Sequence, residues 1–518
     1  MQHSQVRRMA ALDQLYAWRD EALSSRKHAN HALKLLEQLK IFLGNDEHKS
    51  FLIAGTCLSE VLRFFVSSGL WDPSQQGSKV SEWCSSLFTD FKDVILCATS
   101  AFDSQCAPEA LRLCLPCALI EVERQTKLQG DAANIAFIRG NEFSQGFLFT
   151  ALKIVLCSNQ KISKTLLASL LTRWVGKYKD VGYYVLKNMG RMISKYTKEE
   201  HGSFFPHNTF HVLMRYNLED KTAFEALSQL AESDHDSIEL NDARKVMLDC
   251  WSSLFPLLSD ALKEQFLIRI DSNVFVNCSN PLRFADLLTD LFDSKEMLMQ
   301  ILALNGLFVL MAQYNYEYPS FYNKLYQTLK PEILFHRHRF RMLGLLPLFL
   351  KSPLLPANMI CSFVKKLARI SLHAPCGSIS FVLSLIFNLL RRNAACRVLI
   401  DRKDTQVFEH GDPFLESEED PVETHAMESS LWEVRTLSNH FLPEVASKAK
   451  QILETQNWPG RDWELPADIE EISSRFSEDS MFDVQVNKKA KNKALASKSE
   501  SEFKSFPFPS MWWNELEV

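Results

Sequence analysis

Glycine is scarce in this chain, with 16 residues among 518. Many-stranded β folds and loops that wrap phosphate both draw on glycine, for tight turns and for close backbone approach. Neither is therefore expected, and the scarcity favours helices. No GxxxxGK[ST] or GxGxxG occurs, so the backbone amides have no loop with which to close on a nucleotide, and no GxSxG elbow presents a serine nucleophile. Metal motifs are also thin. Cys114-Leu-Pro-Cys117 is a lone CxxC, whereas a structural zinc site needs a second pair or spaced histidines, and nearby Cys106 completes nothing tetrahedral. His207 and His211 have the i, i+4 spacing of a two-histidine metal face, but Asn208 stands where a zinc-protease helix carries Glu, and Phe204-Phe205-Pro206 before them suggests a loop. No catalytic, cofactor-binding or metal residue is assigned, and an enzyme is not expected.

Long apolar runs are missing too. Met297 to Met311 is the longest, it contains Gln300 and Asn305, and it falls short of the roughly 20 residues a bilayer demands. It is expected to be a buried helix, and membrane association is not expected. The amino-terminal Met-Gln-His-Ser-Gln-Val-Arg-Arg lacks the apolar stretch of a secretion signal, so the 12 cysteines are expected to be reduced and mostly buried. A net charge of −5 excludes a polycation, and any nucleic-acid contact has to come from a local patch.

What the chain does have is apolar residues at helical spacing. Hydrophobic residues make up 46%, including 36 Phe. Leu33, Leu36, Leu39 and Phe42 form a stripe stopped by Gly44-Asn45-Asp46, and Phe51, Leu58, Val61, Leu62 and Phe65 form a second. Trp83, Leu87, Phe91, Val94 and Ile95 form a third, and helix-break-helix continues to about residue 290. No fixed-period repeat is visible, so a tetratricopeptide or ankyrin array is not expected. The length argues against one compact bundle. The expected fold is all-α: an irregular helical-hairpin solenoid, HEAT/armadillo-like, with a flexible carboxy-terminal tail.

The expected domains are an amino-terminal helical repeat region at 1–290, a helical domain at 291–455 and an extended tail at 456–518. Within the second, Phe321, Leu325 and Leu329 mark a helix closed by Lys330-Pro331. Phe340, Leu343, Leu346 and Leu350 mark the next, which Pro347 should kink or end. After Ser352-Pro353 and Pro356, a third buries Ile360, Phe363, Leu367 and Ile370 up to His373-Ala374-Pro375. A fourth runs from Ile379 to Leu390 and ends on Arg391-Arg392, cations suited to a helix C-terminus. Residues 401–423 carry nine acidic side chains with Pro413 and Pro421, and are expected to be a solvated loop.

Several of these segments resemble one known family. Tyr318-Pro-Ser-Phe-Tyr-Asn-Lys-Leu-Tyr326 is similar to the opening of the domain named after the CCAAT-binding factor and shared by nucleolar complex proteins. Leu367-Ala-Arg-Ile-Ser-Leu372, Asn388-Leu-Leu-Arg-Arg-Asn393 and Cys396-Arg-Val-Leu-Ile400 follow it. Glu418-Glu-Asp-Pro421, Glu428-Ser-Ser-Leu-Trp-Glu433 and His440-Phe-Leu-Pro-Glu-Val445 then point to the nucleolar complex protein 4 family. The resemblance implies a non-catalytic scaffold in small ribosomal subunit biogenesis. It would sit in the small-subunit processome of the nucleolus and nucleus, bind nucleolar protein fourteen, and serve pre-rRNA maturation and nuclear exit of the pre-particle. No recognition-helix motif, zinc finger or basic zipper supports the promoter binding suggested by the domain's name. A nuclear-transport-type solenoid adaptor is the alternative.

Two sets of side chains are candidates for binding. Arg337, Arg339 and Arg341, with Arg337 and Arg341 one helical turn apart, then Lys365, Lys366, Arg369, Arg391 and Arg392, are expected to line a basic face for RNA or protein. Trp432 and the tail residues Phe506, Phe508, Trp512 and Trp513 are candidate partner anchors, because tryptophan is enriched at interface hot spots. Lys488, Lys489, Lys491 and Lys493 form a cluster suited to a nuclear-import signal or a solvated linker.

Overall fold

The structure is a computed structural model that describes residues 2–24, 28–71, 78–129, 146–175, 179–197, 201–218, 240–353, 355–402, 411–466, 468–477 and 479–482. Among the described residues every regular element is helical and no strand occurs. The chain divides into two compact units, Met1–Phe284 and Ala285–Val518, so the division lies a few residues before the expected 290.

The first unit holds α1 (Gln2–Ser24), α2 (His31–Gly44), α3 (His48–Ser67), α4 (Lys79–Ser100), α5 (Ala107–Gln129), α6 (Phe147–Leu156), α7 (Lys164–Ser169), α8 (Lys179–Ser194), α9 (Phe205–Arg215), α10 (Leu240–Leu254) and α11 (Asp260–Ile268). Successive helices pack against one another, α2 on α3 and α4 on α5, with α3 also against α5. The stripes on α3 and α4 bury largely as their spacing predicts. On α2 the stripe is turned: Ala32, Leu35, Leu36, Leu39 and Phe42 go in, while Leu33 is exposed. At Gly55 the helices come so close that an added Cβ would sit 2.3 Å from a Leu113 methyl.

Polar staples join one hairpin to the next. Asp46, in a left-handed conformation after α2, accepts from Ser104 Oγ at 2.5 Å and from the Gln105 and Cys106 amides at 3.3 Å. Buried Asn208 on α9 accepts from the Ile162 amide at 2.9 Å and donates to the Gln160 carbonyl at 3.0 Å. Asn277 does the same service after α11, accepting from Leu218 N at 2.9 Å and donating to Tyr216 O. Each satisfies turn groups that the apolar interior would otherwise strand.

The second unit holds α12 (Ala285–Asp293), α13 (Met297–Tyr314), α14 (Phe321–Thr328), α15 (Arg339–Phe349), α16 (Ala357–Ser371), α17 (Cys376–Arg392), α18 (Val398–Asp401), α19 (Trp432–Leu437), α20 (Pro443–Leu453) and α21 (Ile469–Phe476). α14 and α16 run between the expected proline-marked turns and α17 begins after Pro375 and ends on Arg391-Arg392, whereas α15 begins only at Arg339, after a separate turn at Pro331–Leu334. Pro347 lies inside α15, within the last turn, and does not break the helix. α17 is the centre of the unit: every residue from Gly377 to Leu390 is buried, because α16, α20 and α21 pack around it.

Among the described residues two helices, His48–Ser67 and Met297–Tyr314, are long and apolar enough by length and composition to cross a membrane, which corrects the expectation that the Met297 run falls short. Both carry fully buried residues inside their units: Leu58, Val61 and Leu62 on α3, and Leu304, Leu307 and Leu310 on α13, where α13 lies against α12 and α15.

The expected flexible, extended tail at 456–518 is corrected over its described part. Ile472 and Phe476 of α21 are buried against α15 and α17, with the Phe476 ring 5.2 Å from Phe381. Room for Ile472 comes from Gly344 on α15, where a Cβ would lie 2.9 Å from the Ile472 terminal methyl. Ile469, Ile472 and Phe476 on an eight-residue helix give too short a stripe to be read from the sequence.

Candidate functional site

The motif residues of the second unit meet at two clasps and border one cavity. The first clasp is built on α16, whose single row Ser362, Lys365 and Arg369 faces the segment 411–433. Lys365 Nζ lies 2.7 Å from Glu433 Oε1 and 3.0 Å from Asp412 Oδ2, and donates to the Ser430 carbonyl at 2.6 Å. One turn on, Arg369 donates to Glu433 at 2.9 Å, to Asp412 at 2.8 Å and to Glu416 at 3.2 Å. Ser362 Oγ is in contact with the Pro421 carbonyl and with Thr424 Oγ1 at 2.6 Å.

Lys365 and Glu433 are both 0% exposed. Two cations and the two carboxylates of Asp412 and Glu433 leave this interior electrically neutral, the condition under which buried charge is tolerated. Burial alone would raise the Asp412 carboxyl. Hydrogen bonds from Ser429 Oγ and Trp432 Nε1, together with the charge of Lys365, outweigh burial and hold it down at about 2. The Arg369 guanidinium stacks 4.9 Å from the Trp432 ring centroid.

The second clasp fastens residues 458–463 across α17. Asn388 accepts from the Trp463 amide at 2.7 Å and donates to its carbonyl at 2.8 Å, so one side chain substitutes for a rung of secondary structure. The Trp463 ring lies stacked on Phe387 at 4.1 Å. Arg391 Nε and Arg392 Nε both reach Asp462, at 2.5 and 2.7 Å. Burial would raise Asp462, but these two arginines lower it below the usual carboxylate range.

These clasps redistribute the expected basic face. Lys365 is corrected outright: buried in an ion pair, it has no access to a phosphate. Arg369 is engaged by three carboxylates, and Arg391 and Arg392 hold Asp462. Arg337 precedes the helix that starts at Arg339, so Arg337 and Arg341 do not share a helical face. Arg337 is exposed, while Arg339 lies over the Phe340 ring at 4.6 Å. Trp432 packs on its own clasp. Phe506, Phe508, Trp512, Trp513 and the cluster Lys488, Lys489, Lys491 and Lys493 lie outside the described residues.

The expected solvated loop 401–423 holds over much of its described residues 411–423, where Leu415, Glu416, Ser417, Glu419, Val422 and Glu423 are exposed, and is corrected at particular side chains. Phe414 is buried beside Arg369, and Asp412 is the hub of the first clasp. A run of acidic residues does not reveal which of them has a buried cation to meet, so spacing alone could not single out Asp412. Asp462, within the expected tail, carries no distinguishing sequence signal for the same reason.

Lys366, one residue from the buried lysine, points to a different place. It lines a cavity of about 770 Å³ bordered by α12, α14, α16 and residues 414–419. Its ammonium donates to the Tyr326 carbonyl at 2.8 Å and lies 3.8 Å from the Tyr326 ring centroid. Burial draws it down to about 8.

Elsewhere the sequence candidates resolve simply. Cys114 and Cys117 are wholly buried on α5, and desolvation pushes both thiols well above their usual range, which suits neither a nucleophile nor a ready metal ligand. His207 and His211 stand on helix α9, not on a loop, with Pro206 in the first turn and ring centroids 4.4 Å apart. Among the described residues one ligand-type trio, Glu21, His28 and His31, comes within metal-binding distance, and it lies at the surface of the first unit.

The fold and these clasps define an all-α protein of stacked helical hairpins whose signature polar residues are spent on internal fastening. Residues 300–449 match the family described as CBF/Mak21, and residues 9–223 match that described as nucleolar complex protein 4-like, TPR repeats. The second match corrects the expectation that no tetratricopeptide array is present. Helices of 14, 20, 22 and 23 residues in α2 to α5 hide any fixed period.

An uncharacterized protein of Schizosaccharomyces pombe is 31% identical over 447 residues, covering 83% of this chain and 87% of that protein. The nucleolar complex protein 4 homolog of Danio rerio is 28% identical over 84% of both chains. That of Homo sapiens is 39% identical over 221 residues, 42% of each. The chain belongs to the nucleolar complex protein 4 family.

Proposed function

We propose that this protein is a non-catalytic scaffold of the nucleolus, acting in assembly of the small ribosomal subunit within the small-subunit processome. Membership of a family named for a nucleolar complex, along most of the chain's length, is the observation that carries this reading. Its mechanism is geometric. The two clasps hold α16 and α17 rigid, and a rigid helical surface binds a partner without losing much conformational entropy. Pre-rRNA maturation and nuclear exit of the pre-particle depend, on this reading, on the scaffold keeping its partners in register. Nucleolar protein fourteen is the partner we propose, with pre-rRNA contact as a further element.

Purification of the tagged full chain from growing cells, with and without nuclease, tests the proposal. Small-subunit assembly proteins are expected in the untreated sample. One protein partner is expected to remain after RNA digestion. Recovery of transport receptors and cargo, with no ribosome-assembly proteins, would overturn the scaffold in favour of a transport adaptor.

A further inference from the structure

The cavity beside Lys366 borders the first clasp, sharing Arg369, Phe414 and Glu416 with it, and its remaining lining belongs to neither clasp. Its volume of about 770 Å³ is in the range of sites that enclose a ligand or several side chains of a partner. Phe292, Leu329, Ile370 and Phe414 give it an apolar lining. The lining also carries charges of both signs. Lys330 and Lys366 stand beyond α14 and on α16, Glu418 and Glu419 lie in the acidic segment, and Glu416 and Glu419 attract the Lys366 ammonium through space.

Of the other charges around the cavity, Lys324 pairs with Asp293 at 3.2 Å and Arg369 with Glu416 at 3.2 Å, and Lys295 adds a further cation to the lining. Among the described residues, no carboxylate comes within ion-pair distance of Lys330 or Lys366. The Lys366 ammonium has three donors and gives one to the Tyr326 carbonyl, so donors remain for a visitor. A half-buried cation whose nearest carboxylates, Glu416 and Glu419, act on it only from beyond ion-pair distance gains more from an incoming carboxylate than an exposed one does.

We propose that this cavity receives a segment of a partner protein, one that sets a carboxylate against Lys330 and Lys366 and a lysine or arginine against Glu418 and Glu419. A nucleic-acid backbone carries one sign of charge, so whatever it gained at the lysines it would lose at the glutamates. A polypeptide can present both signs within a few residues, and its apolar side chains suit the lining. The inference rests on the scaffold reading above and gives the partner's chemistry.

The test places a photoreactive amino acid at exposed position 330 of the full chain in cells. The expected adduct survives nuclease, is destroyed by protease, and maps to one segment with acidic and basic side chains. That segment, made synthetically, is expected to bind the purified full chain. Lys330→Glu is expected to weaken binding about tenfold or more without moving the unfolding midpoint, and exchanging the segment's carboxylate for lysine is expected to restore it. An adduct removed by nuclease, no protein adduct, an uncharged segment, or unchanged binding by Lys330→Glu would each overturn the assignment. Co-sedimentation with pre-ribosomal particles keeps the two readings apart. Particle association without a protein adduct at position 330 sinks the cavity assignment and leaves the scaffold standing. Loss of particle association sinks the scaffold reading even where an adduct forms.

Discussion

Lys365 and Glu433 stand 68 positions apart in sequence, and their charged atoms meet 2.7 Å apart with neither side chain exposed. The pair joins the third helix of the family domain to the segment that follows its acidic loop, and Asp412 and Arg369 complete the neutral set. Glu433→Ala leaves Lys365 short of its closest anion in a dry interior. Such losses cost about 3–5 kcal/mol. The expected result in urea unfolding of the full chain is a loss of that size. Lys365→Met with Glu433→Gln leaves Arg369 and Asp412 balanced, and is expected to be less destabilising than the sum of the two single changes. Strict additivity would show that the two side chains do not act as a unit.

The second clasp is expected to open without global unfolding. Asp462→Ala removes the shared anion of Arg391 and Arg392, and Asn388→Ala strands the Trp463 amide and carbonyl. Each is expected to cost about 1–3 kcal/mol. The more specific sign is local. Limited proteolysis is expected to cut near 458–466 in these variants, earlier than in the native chain, while helical circular dichroism stays unchanged. Equal protection of that segment in all three proteins would mean that residues 458–463 are held by the packing of Trp458 and Trp463 on Phe387 rather than by these polar contacts.

The helices were largely legible because their signals are local. Proline turns bound α14 and α16, and apolar spacing marks the buried faces of α3, α4 and α16. Function-bearing polar groups were not legible for a physical reason: a charge is solvated or buried according to what the fold brings opposite it. Lys365 and Lys366 are adjacent and identical in type, yet one is sealed in an ion pair and the other lines a cavity. Arg391 and Arg392 suit a helix C-terminus by position, and their actual task is to hold Asp462, some 70 residues downstream. A period of 3.6 specifies a face and leaves its partner unnamed.

The cysteines provide a map of accessibility. Cys97 is exposed, whereas Cys57, Cys84, Cys106, Cys114, Cys117, Cys250, Cys278, Cys361 and Cys396 are buried. Only a thiolate reacts at a useful rate, and desolvation holds Cys114 and Cys117 in the thiol form. Brief treatment of the native chain with a thiol-alkylating reagent is expected to label Cys97 ahead of that buried set, and urea is expected to release the rest. Early labelling of Cys114 or Cys117, seen by peptide mass spectrometry, would restore the CxxC as a reactive site.

The paired histidines of α9 predict a pH dependence of stability. Burial lowers both, and His211, facing His207, Arg215 and Lys161, is brought down to about 4. In the unfolded chain a histidine titrates near about 6.5. A group whose folded value is depressed binds its proton more readily when unfolded, so protonation favours unfolding. The contribution is fully present above about pH 6.5 and is lost as the pH falls from there toward 4. The measurement is the urea midpoint at pH 7.5 and at pH 5. The native chain is expected to lose stability between them, and His207→Gln with His211→Gln is expected to lose distinctly less, because glutamine carries no proton to gain. An identical drop in both proteins would assign the acid sensitivity to groups other than this pair.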